Sequence, residues 1–92
     1  MNFEILIELR GKSYRMQVER FYYGESIEKF KVSAGGRSII LQSDRPEIVR
    51  TNARKRIAWK IIEWDFKSTD EDETAIALQK ILRAIEKEVT SL

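Results

Sequence analysis

A basic segment with two tryptophans contains the residues of this chain best suited to binding chemistry. From Arg45 to Lys60 there are six basic residues against the single acidic Glu47. Cationic side chains neutralise phosphates, and flat indole rings stack on unpaired bases. These residue types and their spacing favour, as one hypothesis, a surface for single-stranded DNA or RNA. The candidate residues are Arg45, Arg50, Arg54, Lys55, Arg56, Trp59, Lys60 and Trp64.

The same residues have two other interpretations. In the first, the cations form a solvated rim and the tryptophans fill the core. In the second, one tryptophan serves a protein interface, because Trp59 and Trp64 differ in parity and a regular strand places them on opposite faces. The stretch from Glu63 to Glu73 holds six acidic residues against Lys67. This neighbouring negative charge weakens any long-range attraction for a polyanion, so the protein interface is the preferred binding hypothesis.

Four consecutive acidic residues, Asp70 to Glu73, are the other group that could act chemically, as a metal site or an acid–base pair. Consecutive carboxylates at a helix start point in different directions, so they do not converge on one ion. Ser68 with Glu71, and Asp70 with Glu73, have the spacing of a capping box, and their charge complements the helix dipole. We therefore interpret the run as the start of a helix and predict no metal site.

The chain lacks the residue types on which most enzyme sites depend. The chain contains no histidine and no cysteine, so the commonest general base, the commonest metal ligand and the thiolate nucleophile are absent. Its serines have no histidine to activate them. The Gly35-Gly36 pair lacks the spacing of a phosphate-binding loop. We predict a protein that is not an enzyme, with no catalytic residues, no metal and no cofactor.

A change of hydrophobic period near residue 67 predicts the elements that position these residues. Apolar residues recur mostly at every second position before it and at every third or fourth after it, which indicates strands and then a helix. The predicted strands lie at about 3–10, 13–21, 27–33, 37–43 and 56–66, and the predicted helix at about 69–90. The predicted fold is one α+β domain, 1–92. It is an antiparallel meander of four to five strands with one C-terminal amphipathic helix packed on one face.

One face of the meander and one stripe of the helix are predicted to form the core. Gly11 and the Gly35-Gly36 pair supply two hairpin turns. The apolar residues of the fifth strand change face at Ile61-Ile62, which predicts either a strand buried on both faces or a bulge. Residues 43–55 form a loop or a helical turn begun by Pro46. The predicted core consists of Ile5, Ile7, Tyr14, Met16, Val18, Phe30, Val32, Ile39 and Leu41 with the stripe Leu78, Ile81, Leu82, Ile85, Val89 and Leu92.

Residues at about 45–64 carry a pattern with a family resemblance. Arg45-Pro46-x-x-x-Arg50, basic residues ending in Arg56, and then Trp59-Lys60-x-Ile62-Glu63 resemble a pattern in small uncharacterised proteins of Bacteroidetes-type bacteria. Those proteins look like strand meanders with a C-terminal helix, and the resemblance implies that fold but no activity, ligand or catalytic residue. The order of strands then helix is also similar to one repeat of the PUR nucleic-acid-binding family. That likeness is topological, and a fifth strand and a long basic connection depart from it.

The first function hypothesis is a small soluble protein-interaction module or homodimer, working through the second face of the sheet or the Arg45–Trp64 region. It is supported by the surplus of apolar residues on both faces of the fifth strand. The alternative is single-stranded DNA or RNA binding through residues 45–64. The apolar runs are too short to span a membrane. The lack of cysteine and of a signal peptide predicts a cytoplasmic protein.

Overall fold

A computed structural model describes residues 1–65 and 71–90, with the backbone alone at 71–73. It confirms the predicted α+β architecture, in which five strands form an antiparallel meander and a long helix follows. The sheet order is β1-β2-β3-β4-β5, so each strand pairs with its neighbours in sequence. The elements are β1 (Asn2–Leu9), β2 (Lys12–Tyr23), β3 (Glu28–Ala34), β4 (Arg37–Ser43), α1 (Arg45–Thr51), β5 (Trp59–Trp64) and α2 (Glu71–Thr90).

The two hairpin turns have the backbone that their glycines predict. Arg10 and Gly11 have φ of 51° and 74°, and Gly35 and Gly36 have φ of 57° and 79°. Positive φ at both central residues suits the right-handed twist of the flanking strands, as in the primed turns. These turns fix the registers of β1 on β2 and of β3 on β4.

The core lies between one face of the sheet and α2. Buried side chains alternate along the strands, for example Phe30 with Val32 on β3, and α2 adds Ile81, Ile85 and Val89. Tyr14 was predicted in the core but is exposed, because it lies close to the β1–β2 turn, at the rim of the core face. The predicted stripe is confirmed from Leu78 to Val89, with Leu78 and Leu82 only partly buried.

A β-bulge in β5 places both tryptophans on the core face. Trp59 pairs with Ser43 and Trp64 with Ile39, whereas Ile62 has no partner in the β4 ladder. The extra residue resets the alternation, so the parity argument that separated the tryptophans is wrong. Both indoles pack against the core. The bulge, rather than burial on both faces, explains the change of face at Ile61-Ile62.

The connection after β4 contains a short helix. α1 begins at Arg45, with Pro46 in its first turn, and its C-cap Asn52 is left-handed, with φ of 54°. Proline is tolerated there because the first amide groups of a helix have no intrahelical acceptor. The helical-turn interpretation of Pro46 is thus confirmed. The predicted capping boxes, Phe66 and Leu92 lie outside the residues whose side chains are described.

Candidate functional site

A buried carboxylate occupies one end of the core face, where β3, β4 and α1 meet. Glu28 is fully buried, and its Oε2 accepts hydrogen bonds from Ser43 Oγ and Arg45 Nε, each at 2.7 Å. Arg45 Nη2 donates to Oε1 at 2.7 Å, which makes the ion pair bidentate, and Arg20 Nη1 lies 3.6 Å from the same oxygen. This cluster joins residues that are far apart in sequence.

The cluster has a structural role, and it engages Arg45, one of the predicted binding residues. The hydrogen bond between Arg45 and Glu28 raises the pKa of Arg45 above its ordinary value, so the guanidinium stays charged. The Arg20 guanidinium also lies 4.3 Å from the centre of the Tyr23 ring. Arg45 therefore attaches the start of α1 to the sheet, and its guanidinium is not available to a ligand.

A second carboxylate, Asp44, fixes the segment that leads into β5. Its Oδ1 accepts a hydrogen bond from the Ala58 amide at 2.8 Å, and its Oδ2 lies 2.9 Å from Lys55 Nζ. Burial raises the pKa of Asp44, but the bonds from Ala58 and Lys55 outweigh it and leave the pKa below its ordinary value of 3.8. We call these contacts the Asp44 clip.

Replacing Asp44 with alanine is expected to loosen residues 52–58. The hydrogen bond from the Ala58 amide is lost, at a net cost of about 1 kcal/mol, together with the ion pair to the exposed Lys55, so the segment should open at least about five times more often. The measurement is the rate of tryptic cleavage after Arg54, Lys55 or Arg56 in the native protein. Glu47→Ala is the matched control, because its carboxylate contacts Arg50 outside the clip. Equal cleavage rates in the two variants would exclude the clip.

The clip also predicts a pH dependence. A carboxyl whose pKa is lower in the folded protein stabilises it above the unfolded pKa, and this contribution is lost as pH falls through the folded value. The difference in unfolding free energy between wild type and Asp44→Ala should therefore shrink when urea titrations are moved from neutral pH to below 3.8. An unchanged difference would mean that the charge of Asp44 plays no part.

The remaining predicted cations are dispersed. Arg50 Nε donates to the Glu25 carbonyl at 3.3 Å, and its guanidinium lies 3.8 Å from Glu47. Arg54 and Arg56 are exposed in the loop, and in the described ranges neither forms a hydrogen bond or an ion pair. Lys60 projects from the opposite face of the sheet, beside Gln42. The structure therefore does not bring the eight residues together as one surface.

The tryptophans do not form a stacking platform. Trp59 Nε1 donates to Glu86 Oε1 of α2 at 2.6 Å, and its ring lies 6.0 Å from that of Phe30. Trp64 packs against the core from the other end of β5. Both indoles are partly buried structural residues. A basic groove with indoles beside the unpaired arginines, which the nucleic-acid hypothesis requires, is not formed by the described residues.

The edge of β5 is the feature that the sequence interpretation missed. β5 ends the sheet, and its central residues Ile61 and Ile62 are 44 % and 42 % exposed. An edge strand presents unpaired backbone N–H and C=O groups, to which apolar side chains here add hydrophobic contact area. Two adjacent isoleucines in an alternating strand are the signal that could have indicated this edge.

The opposite edge is protected. α2 lies over β1, and Lys80 Nζ of this helix donates to the carbonyl of Glu8 near the end of β1. Leu6 is exposed on β1, but Glu4 and Glu8 flank it. Charged side chains and a covering helix are the usual means of preventing edge-to-edge pairing.

A shallow open depression of about 540 Å³ separates the β2–β3 connection from α1. It is lined by Tyr23, Gly24, Glu25, Pro46, Val49 and Arg50. The Arg50 side chain is already bonded to the Glu25 carbonyl across it. With few polar groups and wide access to solvent, the depression lacks the convergent groups of a small-molecule site.

Similarity to known proteins does not identify a functional site in this chain. No family model, curated protein or solved structure is significantly similar to this chain. Among the side chains of residues 1–65 and 74–90, no three acidic groups lie together so that they could hold a metal ion. Neither helix in the described part of the chain is long and apolar enough to cross a membrane. The resemblance to Bacteroidetes-type proteins stays a prediction.

Proposed function

We propose that this protein is a non-enzymatic interaction module that forms a homodimer along the β5 edge. The observation that carries the proposal is the pair Ile61 and Ile62, exposed at the centre of an edge strand. A chain without histidine or cysteine has few means of catalysis. The absence of cysteine in a small domain also favours a reducing compartment, which we propose to be the cytoplasm.

The position of α2 is compatible with this dimer. The helix packs mainly over β1 on the core face, and it meets β5 through the hydrogen bond from Trp59 to Glu86. Two copies joined at β5 would form one continuous ten-stranded sheet, with the two helices on the same face. No described helix blocks the approach of the second strand.

The protein-interface hypothesis has more support than the nucleic-acid alternative. Arg45, Arg50 and Lys55 are engaged within the chain, and both tryptophans pack against the core. The exposed apolar side chains Ile61 and Ile62 instead lie on the edge strand of the sheet. Hydrophobic area next to an open sheet edge suits a polypeptide strand better than a phosphate backbone.

Analytical ultracentrifugation tests the proposal. A short edge interface should dimerise in the micromolar range, so the mass should rise from 10.9 kDa toward twice that value between about 1 and 500 µM. Ile62→Lys should raise the dissociation constant at least about ten-fold, because a lysine on an edge strand opposes pairing. Leu6→Lys, which changes an exposed residue on the other edge, is the matched control and should dimerise as wild type.

Two outcomes would contradict the proposal. A constant monomer mass of wild type over the whole concentration range would refute the homodimer. Loss of dimerisation in Leu6→Lys, with Ile62→Lys unaffected, would place the interface at β1 instead. Circular dichroism of each variant establishes that the monomer is folded.

A further inference from the structure

We infer that the two copies pair in an antiparallel two-fold register that sets Lys60 of each copy opposite Glu63 of the other. The inference rests on the proposed function, since it specifies how the two β5 edges meet. In this register Ile61 of one copy faces Ile62 of the second copy at the symmetry axis. The strand is self-complementary, because its cation and its anion lie at equal distances from a central isoleucine pair.

The β-bulge makes this register geometrically consistent. Opposed residues of an antiparallel pair point to the same face, and the two-fold axis of such a pair preserves faces. In a regular strand, residues 60 and 63 would lie on opposite faces and could not oppose each other. Here Lys60 pairs with Gln42 and Glu63 with Ile40, so the extra residue Ile62 places both charged side chains on the face opposite the core.

The backbone directions fit the same arrangement. The Asp65 amide donates to the Ser38 carbonyl at 3.0 Å, so even-numbered residues of β4 direct their backbone groups at β5. Gln42 and Ile40 are therefore turned toward β5. Their partners Lys60 and Glu63 direct their own backbone N–H and C=O groups back at β4. Across the dimer they would occupy non-hydrogen-bonded positions, where Cα atoms are about 4.5 Å apart and side chains are closest.

Charge along the chain supports the antiparallel direction. Arg56 and Lys60 lie at the entry to β5, whereas Glu63 and Asp65 lie at its exit, and all four are exposed. Antiparallel pairing sets the basic end of each copy beside the acidic end of the other. Parallel pairing would set like charges together, which is destabilising in adjacent strands.

Charge reversal tests the register by sedimentation. Lys60→Glu alone and Glu63→Lys alone should each raise the dissociation constant about ten-fold, because both cross-dimer pairs become repulsive. An equimolar mixture of the two variants should associate as wild type, since each cation again faces an anion. Lys31→Glu, which changes an exposed lysine on β3, is the control and should leave the constant unchanged.

Cross-linking gives an independent measurement, because the chain has no cysteine of its own. A mixture of Lys60→Cys and Glu63→Cys should form a disulfide-linked dimer under mild oxidation, whereas either variant alone should not, because its thiols would lie too far apart. If wild type dimerises through the edge that Ile62→Lys blocks, but neither mixture associates or cross-links preferentially, the register is wrong and the proposed function stands. A wild-type monomer at all concentrations overturns both.

Discussion

Replacing Glu28 with alanine is expected to lower the free energy of unfolding by about 3–5 kcal/mol, because it removes one partner of a buried ion pair. The carboxylate is fully buried, and the side chains of Arg45 and Arg20 retain only 15 % and 21 % of their exposure. Without Glu28, two largely buried guanidinium groups would face each other with no anion, and Ser43 Oγ would lose its acceptor. Urea denaturation followed by circular dichroism measures the loss.

Two further variants keep this prediction testable if the alanine protein does not fold. Glu28→Gln retains the shape and the acceptor for Ser43 but removes the charge, and it should destabilise the protein by a smaller amount, about 2 kcal/mol. Glu19→Ala removes an exposed glutamate from the opposite face of β2 and should change the stability by less than about 0.5 kcal/mol. Equal effects of Glu28→Gln and Glu19→Ala would show that the buried cluster contributes nothing.

Ile85→Ala is expected to destabilise the protein by about 2–5 kcal/mol, through lost burial and the cavity left behind. Ile85 is 0 % exposed at the centre of the contact between α2 and the sheet. Ile76→Ala on the same helix is the matched control: Ile76 is 52 % exposed, so its loss should be below about 1 kcal/mol. Because both changes alter helix propensity equally, the difference between the two urea titrations isolates packing.

The pair of isoleucine variants also reports on how the helix covers the sheet. If both alanine variants lost the same free energy, α2 would not be docked through the stripe that contains Ile81, Ile85 and Val89. Near-ultraviolet circular dichroism adds a local readout, since the Trp59 indole donates a hydrogen bond to Glu86, the residue that follows Ile85 in α2. A displaced helix should change this tryptophan signal.

Much of the fold could be predicted because it depends on neighbours in sequence. The alternation of Phe30 and Val32 defines the face of β3, and the Gly35-Gly36 pair defines the turn to β4. The predicted third and fourth strands differ from the observed ones by at most one residue at either end. Predicted β5 was longer than observed because its apolar composition continues through residues that belong to the preceding loop.

The candidate site could be predicted only in part. Composition identifies a basic segment, but charge in sequence does not reveal which cations have acceptors in space. Arg45 meets Glu28 across 17 residues of chain, and Trp59 meets Glu86 across 27. Such contacts depend on strand register, which the local pattern of one segment does not contain.

The sequence by itself determined the period of each segment, the two glycine turns and the amphipathic stripe of α2, because sterics and burial over a few consecutive residues suffice for each. Only the tertiary structure decided that one bulged residue returns Trp64 to the core face, that Glu28 is a buried anion, and that β1 is covered while β5 is open. These three outcomes depend on which strands become neighbours. Hydrogen bonding between strands sets that arrangement, and with it the surface offered to a second copy.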